Sequence, residues 1–119
     1  MHEDIYEEVI KKLIPSFESL KIGDPFNRNI QVGPLISEQS YDAMKKTLDA
    51  CSSKAKKIHG GQKLDIDGGT YVQPALVEVE SHIDEMKDET FAPILFVMPF
   101  KKLTDAIETL SRSLCFKIQ

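Results

Sequence analysis

Apolar residues recur at helical spacing over the first twenty positions of the chain. They fall at steps of four and three, at Ile5, Val9, Leu13, Phe17 and Leu20. The opposite face is charged, with acids near the start and lysines near the middle, as the helix dipole favours. A proline inside a helix removes a backbone donor and clashes with the preceding turn. The pattern therefore predicts an amphipathic helix that Pro15 kinks or interrupts.

A second helical pattern follows a glycine- and proline-rich stretch, Lys21 to Ile36, which predicts an ordered loop. Ser37 is a favourable N-cap residue. Behind it, apolar residues return at steps of three and four, at Tyr41, Met44, Leu48, Cys51 and Ala55. This spacing predicts a helix of about five turns.

Short strand-like segments replace the helical spacing after Lys56. Four are expected, around residues 57–59, 63–64, 70–72 and 75–79. The glycine pairs between them, Gly60-Gly61 and Gly68-Gly69, lack the spacing and the following helix of a phosphate-binding loop. They predict turns between short strands.

The last third of the sequence contains its most apolar run, Pro93 to Phe100. Such a run predicts a strand that is covered on both faces. One helical turn is expected before it, at 83–88, and a final helix after it, from about Leu103 to Leu110. Helices that alternate with so apolar a strand favour an α/β fold, with helices packed on a partly parallel sheet.

Composition restricts the classes of function. With 119 residues, 41% hydrophobic and 29% charged, the chain has the profile of one folded domain. Its net charge is −4, and its lysines occur mostly in pairs separated by acids, which disfavours nucleic-acid binding. The longest apolar stretch is about half of the roughly 20 residues that a membrane helix needs. We expect a cytoplasmic protein without a nucleic-acid or membrane partner.

Few residues suggest chemistry on their own. Cys51 and Cys115 are too few and too far apart for a disulfide framework, and Cys51 lies on the apolar helix face, where a buried packing role is expected. The three histidines lack the spacing of metal ligands, so no metal site is predicted. The acids at positions 84, 85, 88 and 89 are most simply a solvated helical turn.

Several short motifs together resemble the aldehyde dehydrogenase family, in which they occur in the same order. They are His2–Tyr6, Lys21–Pro25, Val32–Ile36, Gly60-Gly61, Tyr71–Leu76 and Glu89–Pro93. The resemblance implies a partial aldehyde dehydrogenase catalytic domain over residues 1–108, followed by a divergent tail over residues 109–119. Truncation or a frameshift near Glu108 would account for that tail.

The resemblance extends to one branch of the family. Ala92 stands where the family more commonly has glycine, and with Ile94–Val97 it is similar to the antiquitin branch, the α-aminoadipic semialdehyde dehydrogenases. The implied reaction is the NAD(P)-dependent oxidation of an aldehyde, here a semialdehyde, to a carboxylic acid. In the family, the nucleophilic cysteine precedes the segment that His2–Tyr6 resembles, and the general-base glutamate and dinucleotide-binding half also lie upstream. The chain is therefore expected to be inactive alone and to bind neither NAD nor NADP by itself.

The same resemblance gives Glu89 and Phe91 a cofactor-binding role. In the family, the acid of Glu-x-Phe-x-Pro accepts hydrogen bonds from the nicotinamide ribose, and the phenyl ring lies near the nicotinamide. Without the resemblance, Glu89 would be interpreted as a solvated loop acid and Phe91 as a core anchor. The alternative function is a non-enzymatic remnant that binds another protein or itself through uncovered apolar faces.

Overall fold

The computed structural model describes residues 1–87 and 90–114. Three helices, five strands and a 3-10 turn at Asp84–Met86 make up the described fold. The helices are α1 (Glu3–Glu18), α2 (Glu38–Cys51) and α3 (Leu103–Leu114). The strands are β1 (Lys57–His59), β2 (Lys63–Leu64), β3 (Tyr71–Val72), β4 (Ala75–Glu78) and β5 (Ile94–Val97). In these ranges, no helix has the length and apolar character needed to cross a lipid bilayer.

The central sheet has the order β1-β4-β5, and β2 and β3 form a separate antiparallel pair. Strand β4 runs antiparallel to β1 and parallel to β5. Helix α1 covers one face of the sheet through Tyr6 and Ile10, which pack with Leu76 and Val97. Helix α2 packs against the other face, where two further clusters of buried residues are built around Met44 and Cys51. This layered arrangement confirms the predicted α/β fold with helices on a partly parallel sheet.

The strand that is covered on both faces is β4, not β5. All four residues of β4 are buried, because it has a strand on each side and a helix layer over each face. Within the described fold β5 has a strand neighbour along its length on one side only, and its Leu95 side chain is 41% exposed. The prediction of a fully covered strand at Pro93–Phe100 is therefore wrong.

Helix α1 runs unbroken through Pro15 to Glu18, so Pro15 does not interrupt it, and the alternative outcome, a kink, stays a prediction. Proline removes the donor that would bond the carbonyl of Lys11, but Lys11 is exposed and water can bind that carbonyl. The helix ends three residues later, where the Ser19 amide donates to the Pro15 carbonyl at 3.0 Å.

Helix α2 begins as predicted and ends early. The Ser37 hydroxyl accepts a hydrogen bond from the Ser40 amide at 3.3 Å, which confirms the N-cap. The helix stops at Cys51, because the Ser52 amide donates to the Asp49 carbonyl and the Lys54 amide to the Cys51 carbonyl, which are the i→i−3 bonds of a tighter turn. Cys51 is fully buried, which confirms its packing role.

Burial predicts that the Cys51 thiol is chemically inert in the native protein. Burial and the nearby Glu85 charge raise the pKa of Cys51, so little of the reactive thiolate is present near neutral pH. In a Cys115→Ser background, we expect iodoacetamide to modify Cys51 at least about 100-fold more slowly in the native protein than in urea. Mass spectrometry of the alkylated peptide gives both rates, and equal rates would contradict this burial.

Candidate functional site

The segment that leads into β5 is held to the core and the sheet directly after Phe91. Ala92 packs against the buried Met44 cluster. The Ala75 amide donates to the Pro93 carbonyl at 2.8 Å, and the Ile94 amide donates to the Ala92 carbonyl at 2.8 Å. The backbone and side chains just after Phe91 are therefore held in place by the core.

Phe91 itself is exposed and has an unusual backbone conformation. Its ring is 81% exposed, so the core-anchor interpretation is wrong. Its φ of 48° is the one positive value at a non-glycine residue in the described ranges. A bulky residue in this region costs of order 1–3 kcal/mol, and such residues concentrate at ligand-binding and catalytic sites. Glu89, the second predicted cofactor residue, lies outside the described residues.

Phe91→Gly is expected to leave the stability of this chain unchanged or raise it by about 1 kcal/mol. Glycine relieves the positive φ, and the exposed ring contributes little packing that could be lost. Urea denaturation followed by circular dichroism measures the change. A loss of more than about 1 kcal/mol would show that the ring stabilises the fold and would contradict the binding interpretation.

The first residues of the chain form hydrogen bonds just beyond the end of β5, on the edge that faces away from β4. The Val97 carbonyl accepts a hydrogen bond from the Val79 amide, so it points toward β4. Because backbone groups alternate between the two edges of an extended segment, those of Met98 and Phe100 point to the opposite edge. There the nitrogen of Met1 donates to Met98 at 2.8 Å, and the Phe100 amide donates to Met1 at 2.8 Å. His2 and Phe100 form a parallel bridge. Met1 and His2 therefore pair in parallel with this outer edge through an isolated bridge, directly before α1 begins.

A buried polar cluster joins α1 to the sheet. The Tyr6 hydroxyl donates to Glu78 Oε2 at 3.1 Å, and His59 Nε2 lies 3.0 Å from Glu78 Oε1. Glu78 is only 5% exposed. Sequence reasoning missed this cluster, although a glutamate inside the apolar run Ala75–Val79 is a signal that the charge has buried partners.

The Tyr6–Glu78 contact predicts a stability change at high pH. Burial, together with the Glu78 hydrogen bond and charge, raises the pKa of Tyr6. The fold therefore favours the neutral phenol, and this stabilisation is complete below the unfolded tyrosine pKa of about 10 and is lost as pH rises above it. We expect Tyr6→Phe to lose less stability than the unmodified chain between about pH 10 and pH 12. Parallel alkaline slopes in urea titrations of the two proteins would contradict this.

The acidic turn is less solvated than its sequence predicts. Glu85 lies on the 3-10 turn, and its side chain is 15% exposed because it pairs with Lys54 at 2.6 Å. The Lys54 hydrogen bond lowers the pKa of Glu85. Asp84 is exposed and pairs with Lys87, as expected of a solvated turn. No group of three potential metal ligands is found among the described histidine, cysteine and acidic residues.

The chain is similar to known proteins over nearly its whole length, not only at its short motifs. The model of the aldehyde dehydrogenase family matches residues 1–113. The chain is 37% identical over 107 residues to aldehyde dehydrogenase family 7 member A1 of Malus domestica, covering 90% of this chain and 21% of the relative. It is 32% identical over 107 residues to family 7 member B4 of Arabidopsis thaliana, with 90% and 21% covered. The chain thus spans about a fifth of the length of these relatives.

Solved structures give the same fold at lower sequence identity. An aldehyde dehydrogenase of Bacillus cereus aligns with a TM-score of 0.79 and 23% identity over 91% of this chain and 22% of that chain. Betaine aldehyde dehydrogenase of Staphylococcus aureus, solved in complex with NAD+, aligns with a TM-score of 0.80 and 21% identity over 91% and 23%. With the family model matched over residues 1–113 and relatives above 30% identity, the chain belongs to the aldehyde dehydrogenase family, as a fragment similar to its antiquitin-like branch.

Proposed function

We propose that this chain is the part of an NAD(P)-dependent aldehyde dehydrogenase that receives the nicotinamide riboside. The observation that carries the proposal is Phe91, a ring that is 81% exposed on a backbone held at φ 48°. An exposed flat ring whose neighbours are fixed to the core is suited to pack against a flat heterocycle. The aldehyde oxidised is proposed to be a semialdehyde, because the chain is similar to the antiquitin-like branch.

Phe91 and Glu89 have separate roles in the proposal. The ring of Phe91 packs on the nicotinamide, and its anchored neighbours Ala92 and Pro93 limit how far that ring can move. The Glu89 carboxylate accepts hydrogen bonds from ribose hydroxyls, since a carboxylate offers two acceptor oxygens. NAD or NADP, when bound, supplies the acceptor for the hydride that leaves the aldehyde carbon.

The outer edge of β5 supports this assignment. The bridge between His2 and Phe100 sets a parallel register along that edge. A strand preceding Met1 in a longer protein would run beside Ile94–Val97 and reach the level of Phe91 about eight residues before Met1. The resemblance implies that the nucleophilic cysteine belongs to that upstream segment. Nucleophile and nicotinamide would then meet at one end of β5.

A chimeric enzyme tests the proposal. Residues 1–108 of this chain replace the corresponding segment of a complete antiquitin-like dehydrogenase, and NAD reduction is followed with small semialdehydes. We expect turnover by the chimera and an increase of about tenfold in the KM for NAD on Phe91→Ala, because the ring contacts the nicotinamide. Glu89→Gln is expected to raise the same KM.

Phe26→Ala is the matched control, because Phe26 is 94% exposed but belongs to the loop after α1. We expect it to leave the KM for NAD unchanged. Equal effects of Phe91→Ala and Phe26→Ala would contradict the proposed site.

The isolated 119-residue chain is proposed to be inactive, since the nucleophile and the surface that holds the adenine and pyrophosphate are assigned to upstream sequence. Purified chain with NAD and small semialdehydes should therefore give no turnover above buffer. Cysteine-dependent turnover, abolished by Cys51→Ser or Cys115→Ser, would overturn this part of the proposal.

A self-associating remnant is the second candidate function. The observation that favours it is the apolar stripe of α3, where Leu103, Ile107 and Leu110 are 67%, 55% and 64% exposed. Apolar stripes of this kind are normally covered by a partner. Light scattering of the isolated chain distinguishes the candidates, because a monomer over a wide concentration range would contradict self-association.

A further inference from the structure

A cavity of about 210 Å³ separates α3 from the end of the central sheet. Met1, Met98 and Phe100 line it from the sheet edge, Met86 lines it from the 3-10 turn, and Ala106 and Leu110 line it from α3. The chain has four methionines, so three of them surround this one cavity. The fourth, Met44, is 0% exposed within the α2 cluster.

The methionines at the cavity differ from Met44 in their access to small molecules. Met86 and Met98 are half-buried, and both pack against the edge of the Cys51 cluster. Both line the cavity, which gives a small molecule such as a peroxide a route to their side chains. Met44 offers no such route, because its side chain is fully enclosed.

Helix α3 depends on the cavity side for its attachment. Ala106 and Thr109 are half-buried there, whereas Leu103, Ile107 and Leu110 are largely exposed. An amphipathic helix with so little of its apolar surface covered is held weakly. A change of polarity inside the cavity should therefore affect α3 before the rest of the fold.

We propose that Met86 and Met98 form a peroxide-sensitive modification site that controls the docking of α3. The thioether sulfur attacks one oxygen of a hydroperoxide, the O–O bond breaks, and an S=O bond forms. The sulfur is oxidised by two electrons, the peroxide is reduced, and water or an alcohol leaves. The sulfoxide is polar, so its burial beneath α3 is unfavourable and the helix separates from the sheet.

Graded hydrogen peroxide tests the site in the full chain with Cys115→Ser, which removes the tail thiol as a competing target. Peptide mapping by mass spectrometry follows each methionine. We expect Met86 and Met98 to be oxidised at least about tenfold faster than Met44. After their oxidation, the amides of residues 106–111 should exchange hydrogen about tenfold faster than in the reduced chain.

Two variants assign the effect to these residues. In M86L/M98L, which keeps apolar volume without the oxidisable sulfur, peroxide should leave α3 exchange slow. In M44L, peroxide should still accelerate it. Oxidation of Met44 at the rate of Met86 and Met98, or unchanged α3 exchange after their complete oxidation, would overturn the proposal. Both of these measurements use the parent chain, so they hold even where a leucine variant fails to fold.

Discussion

Gly60→Ala is expected to lower the free energy of unfolding by about 3–5 kcal/mol. A Cβ at this position would lie 2.2 Å from the Pro74 carbonyl oxygen, and the glycine φ of +75° is unfavourable for alanine. The carbonyl cannot easily move away, because hydrogen bonds at Gln73 and Ala75 hold its neighbours. Urea denaturation measures the loss.

Gly68→Ala is the matched control for this substitution. Its φ is +88°, similar to that of Gly60, but a Cβ there would meet nothing within 4 Å. The cost should therefore be that of the backbone conformation alone, about 1 kcal/mol. If the two variants lose equal stability, the close approach to Pro74 is not the cause.

Glu78→Ala is expected to destabilise the chain by about 3 kcal/mol. The substitution leaves the Tyr6 hydroxyl and His59 Nε2 without their buried acceptor, and it opens a space between α1 and β4. Glu78→Gln should lose less, since the amide retains one acceptor oxygen for Tyr6. Urea midpoints of the two variants test this order.

Glu80→Ala controls for the removal of a glutamate from the same segment. Glu80 is exposed, so its loss should change stability by no more than about 0.5 kcal/mol. A double-mutant cycle of Tyr6→Phe with Glu78→Ala should give a coupling of about 1 kcal/mol. A coupling near zero would show that the hydrogen bond contributes nothing, whatever the single variants lose.

Local signals in the sequence predicted the helices and turns well. Ser37 and the spacing of Met44 and Cys51 placed α2, because a cap and a buried stripe depend on residues within one helix. Gly68-Gly69 marked the turn between β2 and β3 for the same reason, since positive φ at Gly68 is a local requirement, whereas Gly60-Gly61 lies in the connection from β1 to β2 without a turn. The end of α2 was predicted one turn too late, at Ala55. The tighter turn that begins at Cys51 competes with one more turn of α-helix, and the apolar spacing does not distinguish the two.

Properties that depend on pairing across the chain were not predictable in this way. β4 and β5 are both apolar, and only the strand order makes β4 central and leaves Leu95 exposed. The polar cluster joins residues 72 and 19 positions apart, at Tyr6–Glu78 and His59–Glu78. The exposure of Phe91 and its positive φ depend on the conformation of the segment before β5, which a motif does not reveal.

The hydrogen bond between Met1 and Met98 also determines when the first residues can join the sheet edge during synthesis. It joins backbone atoms 97 residues apart, so a nascent chain cannot form it until nearly the whole described sequence has left the ribosome. The β1–β4 pair, about twenty residues apart, can form much earlier. Until then α1 can be held on the sheet only through residues that come earlier in the chain, such as Leu76 and Glu78, which contact Tyr6.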